Sequence, residues 1–341
     1  MIISRFAPAP TGLLHLGHVV NALHVWGITR AVGGRVLLRI EDHDRQRSRS
    51  EYERAILDDL DWLGFVPDGP STNHFRAGRC AGRQRDRDAH YETALSRLQA
   101  TDLVYACECT RRDLREAMDT EPTDRALDGE LRYSGRCSNR QIEWSGGRGL
   151  RVRLDPSVER FDDLRHGPTE QRPFEQCGDM LVKDRDGNWT YQFAVTVDDL
   201  DQGVTLVIRG DDLLASTGRQ IQLARLLGLN VPPAYLHHGL VMKSAIQKLS
   251  KADRDTSIRD MREAGCSVEH MIGLAAHAAG LAESPQPMAR VEAEARVAES
   301  FTDAVARLRE PRVSQIGSSL TDIQGAAPAS QRAKGEFIRH R

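Results

Sequence analysis

The chain has 341 residues and a mass of 38.0 kDa, with 40% hydrophobic residues, 28% charged residues and a formal net charge of −2. This composition excludes collagen-like, low-complexity and disordered proteins, and an aromatic content of 5% argues against a large stacking platform for single-stranded nucleic acid. The sequence has no apolar run of roughly 18 residues, no signal-peptide core and too few cysteines for a disulfide scaffold, so we predict a cytoplasmic protein that does not contact membranes.

The first 40 residues have the pattern of a strand, a helix and a second strand. A short apolar run, Ile2–Phe6, leads into the loop APAPTG, and apolar residues then recur at spacings of three and four as far as Arg30. Gly33 and Gly34 end this helix, and Val36–Ile40 follows as a buried strand. A strand–helix–strand unit predicts an α/β domain with a parallel sheet.

The middle of the chain is predicted to contain an insertion. Amphipathic helices are expected over Glu51–Leu63 and His90–Leu98. Between residues 101 and 149 the apolar periodicity weakens and charged residues accumulate. Three of the six cysteines lie within 107–137, which is more typical of a metal site than of disulfides.

Strand patterns return after the insertion. Strands are predicted over Leu150–Leu154 and Val204–Ile208, and a helix over Thr217–Leu227. Residues 180–197 are rich in β-branched and aromatic side chains around Asp186-Gly187, which predicts a β-hairpin with a type I′ turn.

The last part of the chain is predicted to be helical and then irregular. After Glu310 the sequence is rich in Ser, Gly, Ala and Gln, which favours a flexible tail. We therefore predict a catalytic domain at 1–258 with the insertion at 101–149, a short helical region at 259–310 and a flexible tail at 311–341.

The loop after the first strand carries the most informative motif, His15-Leu16-Gly17-His18. The chain has neither G-x-G-x-x-G here nor a P-loop sequence. Two imidazoles at a helix N-terminus lie where the backbone amides and the helix dipole favour phosphate, and Gly17 allows a nucleotide to approach. Taken alone, the motif also fits surface or capping histidines, and a His–His metal pair would lack a third ligand nearby. The preceding strand and Pro-rich loop favour the nucleotide interpretation.

A second motif, Lys248-Leu249-Ser250-Lys251, lies far along the chain. Two lysines that flank a small polar residue could hold a polyphosphate as point charges. By itself such a run is as typical of a solvated surface. Its combination with H-x-G-H on an α/β chain favours a nucleotide-using enzyme.

The two motifs together resemble the signatures of class I aminoacyl-tRNA synthetases. Segments similar to the glutamyl type are RFAPA at 5–9, RIED at 39–42, VDD at 197–199 and RGDDL at 209–213. Over residues 3–254 the chain most resembles the glutamyl-Q tRNA(Asp) synthetases, short paralogues of glutamyl-tRNA synthetase. The resemblance implies a Rossmann-like parallel sheet with an inserted zinc-binding, acceptor-type subdomain and a short helical C-terminal region.

The resemblance also implies an activity. It implies an ATP-dependent ligase that converts glutamate to glutamyl-AMP without tRNA, uses Mg²⁺ with ATP, and transfers glutamate to the queuosine base in the anticodon of tRNA-Asp. A monomer is expected. Three alternatives remain open: a truncated glutamyl-tRNA synthetase that charges tRNA-Glu, a small-molecule adenylyl or nucleotidyl transferase, and a non-catalytic tRNA-binding paralogue. A complete glutamyl-tRNA synthetase would need a large helical region after Lys251, where 90 residues follow.

Several residues can be assigned roles. Arg5 and Arg209, at strand ends, can pair carboxylates, Glu41 can hold an α-ammonium group, and Tyr191 can orient the substrate. The resemblance places eight residues in the glutamate site, namely Arg5, Phe6, Ala7, Pro8, Ala9, Glu41, Tyr191 and Arg209. It places four in the ATP site, namely His15, Gly17, His18 and Lys251. The catalytic residues that it implies are His15, His18, Lys248 and Lys251.

The clustered cysteines form a second candidate site. Cys107 and Cys109 make a C-x-C motif, and Tyr133 and Cys137 follow. The spacing alone fits a metal site no better than ordinary packing, because C-x-C is a weaker signal than C-x-x-C and tyrosine is a rare ligand. The resemblance implies a structural zinc ion held by these four residues. The 23 residues between Cys109 and Tyr133 are a longer gap than the resemblance leads us to expect.

Overall fold

The computed structural model describes residues 1–120, 131–241 and 257–310. Met1–Arg309 form one compact unit. The predicted tail at 311–341 lies outside the described residues. The α-helices, numbered α1 to α12, are Leu16–Ala31, Ser50–Leu63, Thr72–Arg76, Asp88–Ala100, Arg111–Thr120, Pro173–Cys177, Tyr191–Asp201, Thr217–Leu226, Ile258–Glu263, Val268–Ala278, Arg290–Ser300 and Thr302–Arg309. The strands, numbered β1 to β9, are Ile3–Phe6, Arg35–Leu38, Val104–Cys107, Gly149–Val152, Glu159–Asp163, Gly167–Gln171, Met180–Lys183, Leu206–Gly210 and Ala234–His238.

Parallel strands form the centre of the unit, as the sequence predicted. β1 pairs with β2 in parallel, with Arg5 opposite Leu37, and β9 pairs in parallel with both β8 and β5. The Thr205 amide donates to the Ile3 carbonyl at 2.9 Å, which joins β1 to the start of β8. β6 adds an antiparallel edge to β5. Open α/β sheets bind ligands at the carboxyl ends of such strands.

Helix α1 connects β1 to β2 and lies in the main hydrophobic core. Its Trp26 side chain packs on Phe6 and Phe65, with ring centroids 5.5 and 4.9 Å away. Gly27 allows α11 to approach, because a β-carbon there would lie 2.8 Å from the Glu294 carbonyl oxygen. The helices after residue 257 therefore share a core with the N-terminal unit. The domain division at residue 258 stays a prediction.

A second, antiparallel sheet contains β3, β4 and β7, in the order β3-β4-β7. It has its own hydrophobic core, in which Tyr91 of α4 and Phe193 of α7 pack with Trp189. β3 lies within the predicted insertion, and the strand pairs with β4 just beyond it. Cys107, at the end of β3, belongs to a small cluster with Tyr133 and Cys137.

The predicted hairpin over residues 180–197 is wrong in its second half. A turn forms around Gly187, whose φ is 84°, and Lys183 pairs with Trp189 in a single antiparallel bridge. Asp186 lacks the positive φ that a type I′ turn requires, so the predicted turn type is also wrong. From Tyr191 onward the chain is helix α7, not a strand. Residues 193–198 are all buried, and a helix pairs its own backbone groups internally, so the tertiary environment outweighs the local β-branched content.

Candidate active site

The two motif histidines lie at the start of α1. His15 is the N-cap, and its Nδ1 accepts a hydrogen bond from the Gly17 amide at 3.2 Å. The His18 Nδ1 accepts from the His15 amide, also at 3.2 Å, and the two ring centroids are 4.0 Å apart. Because each Nδ1 is an acceptor, a neutral ring carries its proton on Nε2. The capping geometry thus gives each ring an N–H donor beside the positive end of the helix dipole.

Both histidines line a pocket of about 230 Å³ that is open to solvent. Its wall is formed by residues at or just beyond the carboxyl ends of β1, β2, β8 and β9, and by α7. Residues there that were predicted from the sequence are Arg5, Ala7, His15, Gly17, His18, Glu41, Tyr191 and Arg209. Tertiary structure thus brings together side chains from segments up to 204 residues apart.

Arg209 is held rigidly by neutral partners. Its Nε donates to His237 Nε2 at 2.9 Å, Nη1 to Gln220 Oε1 at 2.7 Å and Nη2 to Thr217 Oγ1 at 2.8 Å. Burial lowers the pKa of His237, and its Nδ1 lies 2.7 Å from Asp163 Oδ2, so Nε2 is the accepting nitrogen. Within the described residues Arg209 has no carboxylate at ion-pair distance. A buried guanidinium without a counter-ion favours an anionic ligand.

Arg5 and Glu41 belong to a separate ionic network. Asp199 Oδ1 lies 3.2 Å from Arg5 Nε and 2.7 Å from Arg39 Nη1. The fully buried Arg39 also contacts Glu41 Oε1 through Nη2 at 3.1 Å. Burial alone would raise the pKa of Asp199, but the charges of Arg5 and Arg39 bring it below its ordinary value. Asp199 therefore holds the cation of Arg5 in the pocket wall, and Arg39 holds the anion of Glu41 there.

Tyr191 lies at the first position of α7 and lines the pocket. Burial, followed by the charge of Glu41, raises its pKa to about 12, so the phenol is protonated at pH 7. A protonated phenol can donate one hydrogen bond and accept another.

Other predicted residues lie elsewhere. Phe6 packs in the core against Trp26, and the Pro8 carbonyl accepts from the Glu41 amide at 3.0 Å. Neither residue lines the pocket, and neither does Ala9. Lys248 and Lys251 lie outside the described residues.

The structure also adds residues that sequence reasoning did not assign. His238 and Asn21 line the pocket and contact each other, with His238 Nε2 at 3.0 Å from Asn21 Oδ1. Asp199 stood in a segment quoted for the resemblance but received no role. Its proximity to Arg5 depends on long-range packing, which local spacing cannot report.

The four predicted metal ligands are close together. The Sγ atoms of Cys107, Cys109 and Cys137 all lie within 4.8 Å of one another. The Tyr133 hydroxyl is 3.7 Å from Cys107 Sγ, and Cys109 Sγ is 3.5 Å from Cys137 Sγ. A tetrahedral site with Zn–S bonds of about 2.3 Å places its ligand atoms roughly 3.8 Å apart. The donor set and spacing therefore fit a metal ion.

The thiols of the cysteine cluster differ in pKa. Burial would raise the pKa of Cys137, but hydrogen bonds with the Glu108 backbone and with Cys109 bring it below its ordinary value. Burial and the neighbouring Cys107 raise the pKa of Cys109 to about 12. A bound divalent cation reverses this effect by stabilising thiolates, and it releases their protons. Arg151 contacts two members of the cluster. Its Nε lies 3.4 Å from Cys107 Sγ, and its guanidinium carbon lies 3.7 Å from the centre of the Tyr133 ring.

Across the described ranges, none of the helices has the length and apolar character needed to cross a membrane.

Comparison with known proteins defines the family. The family model for tRNA synthetases class I (E and Q), catalytic domain, matches residues 1–284. The glutamyl-Q tRNA(Asp) synthetase of Rhodobacter capsulatus is 39% identical over 290 residues, which cover 80% of this chain and 100% of that protein. The glutamyl-Q tRNA(Asp) synthetase of Ralstonia nicotianae is 44% identical over 254 residues, covering 72% and 76% of the two chains.

A solved structure shows a similar fold. A glutamate tRNA ligase from Elizabethkingia meningosepticum, crystallised in complex with its amino acid, matches with a TM-score of 0.69 and 25% identity. The match covers 86% of this chain and 64% of that chain, so this chain spans under two thirds of the ligase's length. The parallel sheet, the pocket at its carboxyl edge and these similarities show that the chain belongs to the class I tRNA synthetases for E and Q, and among them to the glutamyl-Q tRNA(Asp) synthetases.

Proposed function

We propose that this chain activates glutamate with ATP, without tRNA, and transfers glutamate to the queuosine base in the anticodon of tRNA-Asp. The observation that carries the proposal is the buried Arg209, whose partners among the described residues are all neutral and which shares a pocket with Arg5 and the α1 histidines. The names of the relatives from Rhodobacter capsulatus and Ralstonia nicotianae support the same substrates.

The pocket offers complementary groups for glutamate. Arg209 can pair one carboxylate with its guanidinium, and this charge has no competing acid among the described residues. Arg5 supplies a second cation, while Glu41 and Tyr191 line the same pocket and can hold the α-ammonium group.

The activation step needs little acid–base chemistry. A carboxylate is already a nucleophile at pH 7, so its oxygen attacks the α-phosphorus of ATP in line and pyrophosphate leaves. The residues act by positioning and by stabilising charge. His15 and His18 donate to phosphate oxygens from the helix end, and we assign Lys248 and Lys251 to the developing charge on the phosphates. Mg²⁺ bound to ATP would supply further charge neutralisation through the phosphate oxygens.

We also propose that the metal of the cysteine cluster is a structural zinc ion. Cys107, Cys109, Cys137 and Tyr133 would hold it, and a site with four protein ligands is closed to substrate. Purified protein should then contain a single zinc ion per chain by elemental analysis. Cys137→Ala should lose the metal and unfold at a lower temperature, whereas Cys177→Ala, a buried cysteine outside the cluster, should keep it. A full metal content in Cys137→Ala would contradict the assignment.

The activation step is tested by ATP–pyrophosphate exchange with glutamate and no tRNA. Robust exchange is expected, and exchange only when tRNA-Glu is present would instead favour a glutamyl-tRNA synthetase. A protein that binds tRNA but never exchanges pyrophosphate would favour the non-catalytic alternative. Lys251→Ala should abolish exchange while glutamate still binds, and wild-type exchange in this variant would remove the lysine from the mechanism.

The acceptor is tested separately. Transfer of labelled glutamate to tRNA-Asp that contains queuosine should be efficient, and the same tRNA without queuosine should remain unlabelled. Equal labelling of the two tRNAs would overturn the proposed acceptor.

A further inference from the structure

His43 lies beside the pocket and has no role in the activation step described above. It follows β2 at two residues after Glu41, is half-buried, and its ring centroid is 6.0 Å from that of Tyr191. The loop that carries it is anchored, because the buried Asp42 accepts a hydrogen bond from the Arg85 amide at 2.8 Å. His43 therefore occupies a defined position next to the group that orients the substrate.

Hydrogen bonds determine the tautomer of His43. Gln84 Nε2 donates to Asp198 Oδ2 at 2.8 Å, so the opposite end of this amide, Oε1, is an acceptor. Oε1 lies 2.7 Å from His43 Nδ1, which must then carry a proton. A neutral His43 consequently has its lone pair on Nε2, and Nε2 has no hydrogen-bond partner among the described residues.

Asp198 makes this arrangement rigid. Its carboxylate is fully buried and also accepts from Arg87 Nε at 2.6 Å and from the Tyr91 hydroxyl at 3.0 Å. The chain from Asp198 through Gln84 to His43 has the form in which a buried acid orients a base through an intermediate group.

We infer that His43 is the general base of the transfer step, accepting the proton of the RNA hydroxyl that attacks glutamyl-AMP. The inference rests on the proposed function. The attacking oxygen bonds to the glutamyl carbonyl carbon, and the bond from that carbon to the phosphate oxygen breaks. AMP leaves with the electron pair, and the proton passes to His43 Nε2 and then to water.

His43 lies close to the place where the reacting carbonyl carbon of glutamyl-AMP is expected. The reacting carbonyl carbon is two covalent bonds from the α-nitrogen, which we place against Glu41 and Tyr191. His43 neighbours both residues, the first along the chain and the second in space. A hydroxyl is a weak nucleophile until it loses its proton, whereas the carboxylate of the first step needs no base. A base that acts in the second step alone agrees with this difference between the two nucleophiles.

The test separates the two steps. Enzyme-bound glutamyl-AMP is isolated and mixed with queuosine-containing tRNA-Asp, and single-turnover transfer is compared with ATP–pyrophosphate exchange. His43→Ala and His43→Gln should slow transfer by roughly 10²–10⁴-fold, the usual contribution of a general base, with a far smaller effect on exchange. Added imidazole should restore part of the transfer rate in His43→Ala, where it can occupy the vacated space, and not in His43→Gln. His90→Ala, an exposed histidine on α4, is the control.

Each outcome decides the inference. Transfer at the wild-type rate in His43→Ala, an equal loss of both steps, or a transfer defect that imidazole does not relieve would overturn the role of His43 and leave the proposed function standing. Wild-type protein that never forms glutamyl-AMP would overturn both.

Discussion

The Nε atom of Arg5, on the first strand, lies 3.2 Å from Oδ1 of Asp199, which is 194 residues further along the chain in α7. The same carboxylate oxygen accepts from Arg39 at 2.7 Å. One partly buried acid thus joins β1, the end of β2 and α7 next to Arg5 of the pocket wall. Arg5 forms an ion pair with Asp199, whereas Arg209 has no carboxylate partner in the part of the chain that the structure describes. We therefore expect the two arginines to contribute differently to glutamate binding.

Arg209→Lys should weaken glutamate binding while the fold persists. Lysine keeps the charge but cannot make the three directional bonds that hold Arg209, so the cation loses its defined position. We expect KM for glutamate in ATP–pyrophosphate exchange to rise roughly 10–100-fold, the range of one lost charged hydrogen bond. Arg225→Lys, which changes a half-exposed arginine paired with Glu159, should leave KM unchanged. Equal effects of both substitutions would contradict a specific role.

Asp199→Asn should destabilise the protein in a pH-dependent way. The change leaves Arg5 and Arg39 without their shared acid, and breaking a buried pair costs about 3–5 kcal/mol. Because the folded pKa of Asp199 is depressed, its stabilisation is complete above its unfolded pKa of about 3.9 and is lost as pH falls through the folded pKa. Urea unfolding should show the full difference from wild type at pH 7 and pH 5, and a smaller one below pH 4. A constant difference would exclude this linkage.

Asp59→Asn should stabilise the protein at neutral pH, in contrast to Asp199→Asn. In the described structure neither oxygen of Asp59 accepts a hydrogen bond, Arg262 Nη2 lies 3.4 Å away, and burial raises the Asp59 pKa to about 7. From about pH 3.9 to pH 7 the unfolded chain has released a proton that the folded protein still holds, so rising pH lowers the free energy of unfolding.

In the Asp59→Asn variant the side chain has no proton to release, so its free energy of unfolding does not fall in this way as pH rises. It should match the wild type near pH 4, gain stability relative to it as pH rises to 7, and be about 1–3 kcal/mol more stable at pH 8. The measurement is urea unfolding of both proteins from pH 4 to pH 8. Lower stability of the variant at pH 8 would show that the ion pair with Arg262 outweighs burial.

His15→Asn should separate helix capping from phosphate binding. Asparagine is among the best N-caps, so the variant should unfold within about 0.5 kcal/mol of wild type, whereas His15→Ala should lose about 1 kcal/mol. Both variants lack the imidazole donor, so both should reduce the exchange rate by on the order of 10²–10³-fold. Normal exchange in His15→Asn would confine His15 to a capping role.

Much of this protein could be predicted from local sequence. The α1 boundaries follow from a capping histidine, a three–four apolar spacing and a glycine pair, all of which act within a few residues. The histidine motif and the strand-end arginines also indicate a pocket for anions, because the positions of helix starts and strand ends are local properties. The proximity of the four candidate metal ligands was predicted despite the long gap between Cys109 and Tyr133, since ligand chemistry is restricted to few residue types.

Tertiary structure alone decided the rest. Residues 191–201 contain side chains that suit a strand, but burial on most sides makes them helix α7, which brings Asp199 to Arg5 and Asp198 to Gln84. Phe6 stands in a segment predicted to contact substrate, yet its side chain belongs to the core, because alternate strand residues face opposite sides. The partners of Arg5, Arg209 and His43 come from distant segments, so only long-range packing determines which charges are matched and which nitrogen carries a proton.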